Sequence, residues 1–444
     1  MNEITLEEIL ASREERARLQ SELLQTYKVP LISFTMNIAG PIKTSELIRR
    51  VFYCGIGMLE DRIEKTSILF KKVDESKTGY RALYAVLGNT CDIKNICVSI
   101  EDGTPVGRLF DMDVIDTDGK KLDRSSARGC IVCDAPGRFC AATRAHTIDV
   151  IWAKTEEIIK TFFLEYDSER VAYLAYASLM EEVRTTPKPG LVDLNNTGSH
   201  TDMDIQSFYK SAETLRPYFK KCFLIGAETA TQKATDAFEK LRSSGVLAEG
   251  DMYRATNGVN THKGMIYSLG ILCGAIGRLW QADEPFAQTE RIFIEASMLA
   301  HDAAMADLAS ADGKTAGSKL YKERKITGIR GEAANGFPSV SGISLPILQN
   351  AVRQGIDRNG AGILALLYLI ANVEDTNLYS RGGESGAIYA REYAKKLIAL
   401  NRVPTENEVR AMDAEFIKRN LSPGGCADLL AITYFIDALA HETK

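Results

Sequence analysis

The chain has 444 residues, of which 45% are hydrophobic and 25% charged. This composition is typical of globular proteins and excludes collagen-like, low-complexity and disordered chains; roughly 150 residues per domain predicts two or three domains. A formal net charge of −5 gives no electrostatic reason to expect a nucleic-acid partner. The charged N-terminal segment and the short longest apolar run, 363–373, predict a cytoplasmic protein with no membrane partner.

Residues 1–165 alternate between helical and strand-like patterns. Leucine and isoleucine recur at helical spacing in residues 5–26, and residues 45–59 also have a helical pattern. Turn-forming residues separate five strand-like runs, which are 31–36, 67–73, 80–87, 93–100 and 108–115. The pattern predicts an α/β domain with a mixed sheet, and a fully antiparallel sheet is the alternative.

Strand-like patterns end near residue 166. Residues 166–444 instead carry long apolar periodicities at helical spacing, with glycine and proline clustered between them. The predicted helices are 168–183, 206–242, 263–280, 285–309, 343–355, 360–373, 384–400, 405–419 and 425–440. About ten helices around one core indicate a second domain that is all-α.

Two carboxylates, Asp111 and Asp113, interrupt an apolar run. Because side chains alternate along a strand, both lie on one face and Met112 lies on the other. Paired carboxylates beside apolar neighbours need a compensating cation, and Mg²⁺ held by such a pair can bridge phosphate oxygens. The alternative is that both aspartates lie on the hydrated face near a strand end.

Basic residues near this pair could hold phosphates. The turn 37–43 ends in a lysine and leads into a helix, which suits an anion. Arg13, Arg16 and Arg18 lie on the first helix. The candidate phosphate-binding residues are Asn37, Lys43, Arg108, Arg138 and Arg144. Each arginine taken singly could instead be a solvated surface charge.

Three closely spaced cysteines, Cys130, Cys133 and Cys140, precede His146. The Cys-x-x-Cys pair suggests zinc, but no second pair follows it. We therefore interpret these cysteines as structural residues. The odd total of nine cysteines also argues against a complete set of disulfides.

Three segments of the first domain resemble the apo-citrate lyase phosphoribosyl-dephospho-CoA transferase family. They are NIAGPIK at 37–43, GRLFDMDVI at 107–115 and RGCIVCDAPGRFCAATRAHT at 128–147. The resemblance implies a nucleotidyltransferase-like domain that transfers a phosphoribosyl-dephospho-CoA group to a serine of the citrate lyase acyl carrier protein (gamma subunit), with release of pyrophosphate. It also supports Asp111 and Asp113 as catalytic residues and Mg²⁺ ligands.

Islands of polar residues mark the helix ends of the second domain. They are EVRTTPKPGLVD at 182–193, NTGSHTDMD at 196–204, TNGVNTHKG at 256–264, GIRGEAANGFP at 328–338, EDTN at 374–377 and PGGCADLLA at 423–431. Any one of them could be a helix cap. Together they would be expected if the helix ends converge on a highly charged ligand, because helix N-termini bind phosphates.

In order, these islands resemble the triphosphoribosyl-dephospho-CoA synthase family. That resemblance implies ATP and 3′-dephospho-CoA as substrates: the ribose 2′-hydroxyl of dephospho-CoA attacks C1 of the ATP ribose, and adenine leaves. The product is the substrate that the first domain's family uses. The two resemblances therefore imply a bifunctional enzyme.

Ribosyl transfer of this kind passes through an oxocarbenium-like state and needs carboxylates and phosphate-neutralising groups. The candidate catalytic acids are Glu182, Asp193 and Glu332, and the candidate Mg²⁺ ligands are Asp202, Asp375 and Asp428. The candidate substrate-binding residues are Lys188, Asn257, Thr261, His262, Lys263, Arg330 and Asn377. The sequence does not assign one general base.

Two other functions compete with this interpretation. The same chemistry could serve a carrier of the malonate decarboxylase type, although the resemblance of the first domain favours citrate lyase. Alternatively, the first domain could be a noncatalytic module that docks the carrier protein. The presence of both Asp111 and Asp113 argues against a noncatalytic domain.

Overall fold

The computed structural model describes residues 4–310 and 316–442. The chain folds into two compact units, residues 1–165 and residues 166–444. Within the described residues, no helix combines the length and the apolar character needed to cross a bilayer.

A four-stranded sheet forms the centre of the first unit. Its strands are β1 (Leu31–Met36), β2 (Ile68–Ser76), β3 (Gly79–Val86) and β4 (Phe110–Ile115). Its helices are α1 (Leu6–Tyr27), α2 (Glu46–Glu60), α3 (Thr90–Gly103) and α4 (Gly137–Thr143). The strand order is β2-β3-β1-β4, and every pairing is antiparallel. The expected mixed sheet is therefore wrong, and the antiparallel alternative is confirmed.

The strand predicted at 93–100 is part of helix α3. The side chain of Asn89 caps this helix by accepting hydrogen bonds from the backbone N–H groups of Cys91 (2.9 Å) and Asp92 (3.3 Å). Its buried Ile93, Cys97 and Ile100 recur at helical spacing. The helical cap and this spacing outweigh the strand preference of the isoleucines.

The two faces of the sheet have different neighbours. Helix α2 packs against one face, where the ring of Phe52 stacks on Phe34 with their centroids 5.0 Å apart. Because side chains alternate, Thr35 and its partner Asp111 lie on the opposite face. That face also packs against α1, whose Leu23 belongs to the same apolar cluster as Leu31 of β1.

In the described residues, the regular elements of the second unit are all helices. They are α5 (Ile148–Arg184, in which the division between the units falls), α6 (Ile205–Glu228), α7 (Ala234–Ala255), α8 (Lys263–Leu279), α9 (Thr289–Ala309), α10 (Ala316–Arg324), α11 (Gly328–Ala334), α12 (Leu345–Arg353), α13 (Arg358–Asn372), α14 (Thr376–Ile398), α15 (Glu406–Lys418) and α16 (Gly424–Glu442). The helix predicted at 206–242 is two helices, α6 and α7. Helix α6 ends where Thr229 donates a hydrogen bond back to the carbonyl oxygen of Ile225 (2.7 Å).

Helix α8 lies at the centre of this unit and is buried along most of its length. A helix that is apolar on all sides can only be buried. Its backbone approaches α6 closely, because a Cβ atom at Gly226 would collide with the carbonyl oxygen of Gly274, and one at Gly277 with that of Phe223. This tight packing fixes the position of α8, and the polar residues 256–264 lie at the other end of that helix.

Candidate active sites

The polar islands of the second unit surround a cavity of about 570 Å³. A smaller cavity of about 350 Å³ shares Thr376, Asn377 and Asp428 with it. Residues at the N-terminal ends of α8, α11, α14 and α16 line these cavities. Such helix ends present backbone N–H groups that lack partners within the helix, so they suit phosphates.

Glu182 and Lys188 form a buried ion pair on the wall of the larger cavity. Burial raises the pKa of Glu182, and the ammonium group of Lys188 partly offsets that rise. Asp193 holds the intervening loop, since its carboxylate accepts hydrogen bonds from Thr186 Oγ1 and Lys188 N, both at 2.9 Å, and from Asn195 N at 2.7 Å. Asp193 therefore faces the loop and is not a lining residue of either cavity.

Asp428 lines both cavities and has no hydrogen-bond or ion-pair partner among the described residues. Burial raises its pKa well above the ordinary value, and the nearby Glu182 and Asp375 raise it further. Asp375 is fully buried; its Oδ1 accepts a hydrogen bond from Asn377 N (2.7 Å) and its Oδ2 accepts one from Cys426 N (2.8 Å). These carboxylates repel one another, and a cation would relieve the repulsion.

The start of α8 presents two buried polar atoms to the larger cavity. The His262 ring is fully buried, and its Nδ1 lies 2.7 Å from Ser211 Oγ. Within the described residues, His262 Nε2 and Thr261 Oγ1 have no hydrogen-bond partner. Burial, followed by the charge of Lys188, lowers the pKa of His262 to about 3. His262 is therefore neutral near pH 7 and would contact a phosphate as a hydrogen-bond donor instead of a cation.

Four other candidates also line the cavities. Asp202 and Arg330 line the larger cavity with partly exposed side chains, and Lys263 lies beside them in an ion pair with Glu249 (2.9 Å). Glu332 lines the smaller cavity, where its carboxylate accepts hydrogen bonds from the Ser339 hydroxyl (2.6 Å) and N–H (3.2 Å). Burial raises the pKa of Glu332, and the bonds from Ser339 partly offset that rise.

Asn257 is the exception among the substrate-binding candidates. It lies in an exposed turn after α7 with φ of 56° and does not line either cavity in the described structure. Several polar lining residues were not predicted, among them Tyr267 and Arg381. Burial raises the pKa of Tyr267 to about 12. Arg381 lies four residues after the EDTN island and directly before two glycines, and that neighbourhood was the available signal.

A third cavity, of about 300 Å³, lies on the α1 face of the sheet in the first unit. Its lining includes Asp111, Asn37, Lys43, Arg13, Arg16 and Arg81. Thr35 Oγ1 donates a hydrogen bond to Asp111 Oδ2 (3.4 Å). Burial, with a smaller effect of Arg13, lowers the pKa of Lys43. One carboxylate among several cations makes this cavity suitable for an anionic ligand.

The other candidates of the first unit lie outside this cavity. Asp113 shares the face of Asp111, but its carboxylate pairs with Lys121 (2.5 Å). Arg108 donates a hydrogen bond to the carbonyl oxygen of Gly129 (2.9 Å). Arg138 and Arg144 are exposed. The structure thus brings Asn37, Lys43 and Asp111 together and leaves these four residues apart from them.

The candidate acids fit Mg²⁺ only if a substrate completes its coordination. In the described parts of the chain, these carboxylates do not bring three ligand atoms within 4.8 Å of one another. Mg²⁺ commonly binds through one or two carboxylates together with substrate phosphates and water. The acids of both units fit that mode of binding.

Comparisons with known proteins match both units. The family model described as ATP:dephospho-CoA triphosphoribosyl transferase matches residues 168–444, and the one described as apo-citrate lyase phosphoribosyl-dephospho-CoA transferase matches residues 4–162. Protein CitXG of Haemophilus influenzae is 34% identical over 98% of this chain and 96% of its own length. Protein CitXG of Leuconostoc mesenteroides subsp. cremoris is 31% identical over 98% of this chain and 97% of its own length. A probable 2-(5''-triphosphoribosyl)-3'-dephosphocoenzyme-A synthase 1 of Salmonella typhimurium is 42% identical over 59% of this chain and 88% of its own length.

Proposed function

The chain belongs to the family of CitXG fusion proteins, and we propose that it catalyses two consecutive transfers in the biosynthesis of the citrate lyase prosthetic group. The second unit joins ATP to 3′-dephospho-CoA and releases adenine. The first unit transfers the phosphoribosyl-dephospho-CoA group of that product to a serine of the citrate lyase acyl carrier protein and releases pyrophosphate. The enzyme is a transferase that meets both of its nucleotides in the cytoplasm.

The observation that carries the first step is the ring of helix N-termini around the 570 Å³ cavity. A triphosphate bound there would meet backbone N–H groups, Lys263 and Arg330, and the neutral His262. The unpartnered His262 Nε2 and Thr261 Oγ1 would each gain a partner from the bound substrate.

Glu332 is the proposed general base of the first step. The 2′-oxygen of dephospho-CoA bonds to C1 of the ATP ribose as the bond from C1 to adenine breaks, and Glu332 takes the hydroxyl proton. Its raised pKa makes it a better base, and both hydrogen bonds from Ser339 orient it. Glu182 is less suited, because Lys188 holds its carboxylate in an ion pair.

The remaining acids have supporting roles. Asp193 is a positioning residue, since it holds the backbone of Lys188. Asp202, Asp375 and Asp428 would hold Mg²⁺ together with the triphosphate. When bound, that ion would neutralise charge on the triphosphate.

The second step is a nucleotidyltransferase-type displacement in the first unit, and we propose a related fold for that unit. The carrier serine oxygen bonds to the phosphorus nearest the ribose, the serine loses its proton, and pyrophosphate leaves. Arg13, Arg16 and Lys43 would hold the departing pyrophosphate, together with Asn37. Asp111 and Asp113 would hold Mg²⁺, which would require Asp113 to release Lys121. Arg138 and Arg144, which are exposed, would remain free to contact the carrier protein or its nucleotide.

Mass spectrometry of the carrier protein tests the complete function. Apo-carrier incubated with enzyme, ATP and dephospho-CoA should gain one phosphoribosyl-dephospho-CoA group on a serine. Adenine should be released even without the carrier. An unmodified carrier in the presence of adenine release would contradict the second activity and favour the docking-module alternative. Modification of a malonate decarboxylase carrier in preference to the citrate lyase carrier would contradict the proposed partner.

Glu332→Gln tests the proposed base. Because general bases contribute typically 10²–10⁴-fold, adenine release should fall by at least about 100-fold. Glu323→Gln is the matched control, since Glu323 is exposed on the neighbouring α10 and should keep full activity. Adenine release by Glu332→Gln at the control's rate would exclude Glu332 as the base.

A further inference from the structure

A compact group of thiols and one imidazole lies in the first unit, away from the 300 Å³ cavity. It consists of Cys130, Cys133, Cys140 and His146, whose candidate ligand atoms all lie within 4.8 Å of one another. Cys133 Sγ lies 3.5 Å from Cys140 Sγ and 3.2 Å from His146 Nε2. The sulfur atoms are too far apart for a disulfide bond, which is about 2.05 Å long, and all three cysteines are free.

We propose that these four residues bind one structural Zn²⁺ ion. Tetrahedral Zn²⁺ has Zn–S distances of about 2.3 Å, which places neighbouring sulfur atoms about 3.8 Å apart. The separations in this group agree with such a tetrahedron. Three thiolates and one imidazole are a ligand set typical of structural zinc and unsuited to Mg²⁺ or Ca²⁺. With all four positions filled by protein, the ion has no open position for catalysis.

The backbone around the first two cysteines is shaped to hold a metal. Cys130 N donates a hydrogen bond to Ala135 O (2.6 Å), and Asp134 N donates one to Cys130 O (3.2 Å), so the chain turns tightly through this pair. Val132 N lies 3.4 Å from Cys130 Sγ. An N–H group directed at a thiolate stabilises its negative charge.

The other two ligands come from α4 and the residues after it. Cys140 is buried within α4. The helix ends at Thr143, and the φ of 50° at the next residue, Arg144, turns the chain back so that His146 reaches the cysteines. The two halves of the ligand set therefore come from separate local structures, which is the arrangement that a bridging ion stabilises.

The segment that surrounds the group has little regular secondary structure. Between β4 and α4, residues 116–136 contain only isolated bridges and turns. The nearby Phe139 of α4 is 62% exposed and so adds little apolar packing to this region. Long stretches without regular structure are uncommon in compact domains, and a structural metal is one means of fixing them.

The segment is also anchored to the strand that carries Asp111. Arg108 donates a hydrogen bond to Gly129 O (2.9 Å), and Arg128 donates one to Phe110 O (2.6 Å). A zinc ion would therefore hold residues 128–146 in place beside β4. It would also position the exposed Arg138 and Arg144 on a fixed surface.

Metal analysis of the full-length protein, purified without chelators, tests this site. We expect about one zinc per chain, and a loss of that zinc in Cys133→Ser and Cys140→Ser. Cys91→Ser is the matched control, because Cys91 is exposed, lies outside the group and should leave the zinc content unchanged. Absence of zinc from the wild-type protein, even after addition of Zn²⁺ under reducing conditions, would overturn the proposal.

Zinc X-ray absorption of the wild-type protein gives an answer that does not depend on how the variants fold. The expected first shell has three sulfur atoms at about 2.3 Å and one nitrogen at about 2.0 Å. A shell of oxygen and nitrogen only would place the ion elsewhere and contradict the assignment. A Cys133–Cys140 disulfide in the protein as isolated under reducing conditions, detected by intact mass, would contradict it as well.

Discussion

His262 and Thr261 place two buried polar atoms, which have no partner in the described parts of the chain, at the edge of the larger cavity. A buried donor or acceptor left unsatisfied costs about 1–3 kcal/mol, so such atoms are rare unless a ligand or water completes them. Ser211 fixes the orientation of the His262 ring through Nδ1, which leaves Nε2 directed away from that contact. At the scale of single residues, the second unit is organised to receive a polar substrate.

The neutrality of His262 has a measurable dependence on pH. Its folded-state pKa of about 3 lies below the ordinary value of 6.5, so the unfolded chain binds a proton over this range and the folded chain does not. Its contribution to stability is complete above pH 6.5 and is lost as pH falls towards 3, at about 1.4 kcal/mol per pH unit. NMR of histidine-labelled protein should show the His262 ring still neutral at about pH 5.

His262→Asn identifies that ring. Asparagine can keep the hydrogen bond to Ser211, so the variant should fold and lose only the neutral-ring signal. Its free energy of unfolding should also fall less steeply with decreasing pH than that of the wild type. A spectrum in which every histidine ring protonates between pH 6 and 7 would contradict the buried, neutral state of His262.

Gly264 controls the position of the Asp428 carboxylate. A Cβ atom at residue 264 would collide with Asp428 Oδ2 and lie 3.0 Å from its Cγ. Gly264→Ala should therefore displace the carboxylate and lower adenine release by about 10- to 100-fold, because displacements near 1 Å can cost that much. The free energy of unfolding should change by less than about 2 kcal/mol, since alanine favours a helix.

Gly250→Ala supplies the control for this substitution. Residue 250 also lies in a helix, α7, and an added Cβ atom there would meet only Arg254 Nη1 at an ordinary 3.6 Å. Adenine release should be unchanged and stability slightly increased. Equal activities of the two variants would show that the carboxylate of Asp428 need not stay where it lies.

At the scale of elements, one carboxylate joins the N-terminal ends of two helices. Asp375 caps α14 through Asn377 N and Leu378 N, and its other oxygen accepts the hydrogen bond from Cys426 N near the start of α16. Both helix ends line the cavities. This one side chain therefore helps to set the relative position of the two helix ends.

Asp375→Asn should separate the two functions of this side chain. An amide has one oxygen, so it can cap α14 but would direct an NH₂ group at Cys426 N. The loss of one buried hydrogen bond should lower the free energy of unfolding by about 1–3 kcal/mol. Urea unfolding measures this change, and adenine release should fall with it.

Asp357→Asn is the corresponding control at an ordinary helix cap. Asp357 caps α13 through Gly360 N with one oxygen, and asparagine is as good an N-cap as aspartate. Its effect on the free energy of unfolding should be only a few tenths of a kcal/mol. If Asp375→Asn were equally mild, the bond to Cys426 would have no energetic importance.

Sequence patterns predicted elements well where one periodicity dominated. The strand 31–36 and the helix α8 follow directly from their apolar spacing. The strand prediction for 93–100 was wrong. Isoleucine and valine favour strands, whereas the spacing of the buried residues and the cap at Asn89 favour a helix. The break between α6 and α7 was missed because its residues, 229–233, include neither glycine nor proline.

Residues that line the cavities were predictable where a motif lies at the N-terminal end of a helix, because the packed helix holds that end at the cavity wall. Thr261, His262 and Asn377 are of this kind. Arg138 and Arg144 were drawn from a conspicuous motif, yet both are exposed. Their motif also contains the four residues of the proposed zinc site. From sequence spacing alone, its three cysteines were interpreted as structural residues without a metal.

At the scale of the whole molecule, the mildly negative net charge does not indicate that the chain contains two sites suited to anions. The net charge is −5, yet the cavity of the first unit is lined by Arg13, Arg16, Lys43 and Arg81. Each unit contains its own cavity, lined by its own residues. The proposed intermediate carries a triphosphate that both cavities could hold, so the two half-reactions should be separable.

Two inactive variants should therefore restore each other's function when mixed. Glu332→Gln should retain the transfer to the carrier and lose adenine release by at least about 100-fold. Asp111→Asn should retain adenine release and lose the transfer by at least about 100-fold. Neither variant alone should modify the carrier in the presence of ATP and dephospho-CoA. An equimolar mixture should modify the carrier, because the intermediate is a free small molecule once the second unit releases it. The modification should begin after a lag in which triphosphoribosyl-dephospho-CoA accumulates.

Purified intermediate, supplied in place of ATP and dephospho-CoA, tests the first unit of each variant separately. Purified triphosphoribosyl-dephospho-CoA should restore carrier modification to Glu332→Gln and leave Asp111→Asn inactive, as read by the mass of the carrier. If both variants lost both half-reactions, the division of labour between the units would be wrong. If each kept its own half-reaction but the mixture stayed inactive, the intermediate would have to pass between sites of one chain without release. In that case the fusion of the two units would be required to deliver the intermediate to the first unit.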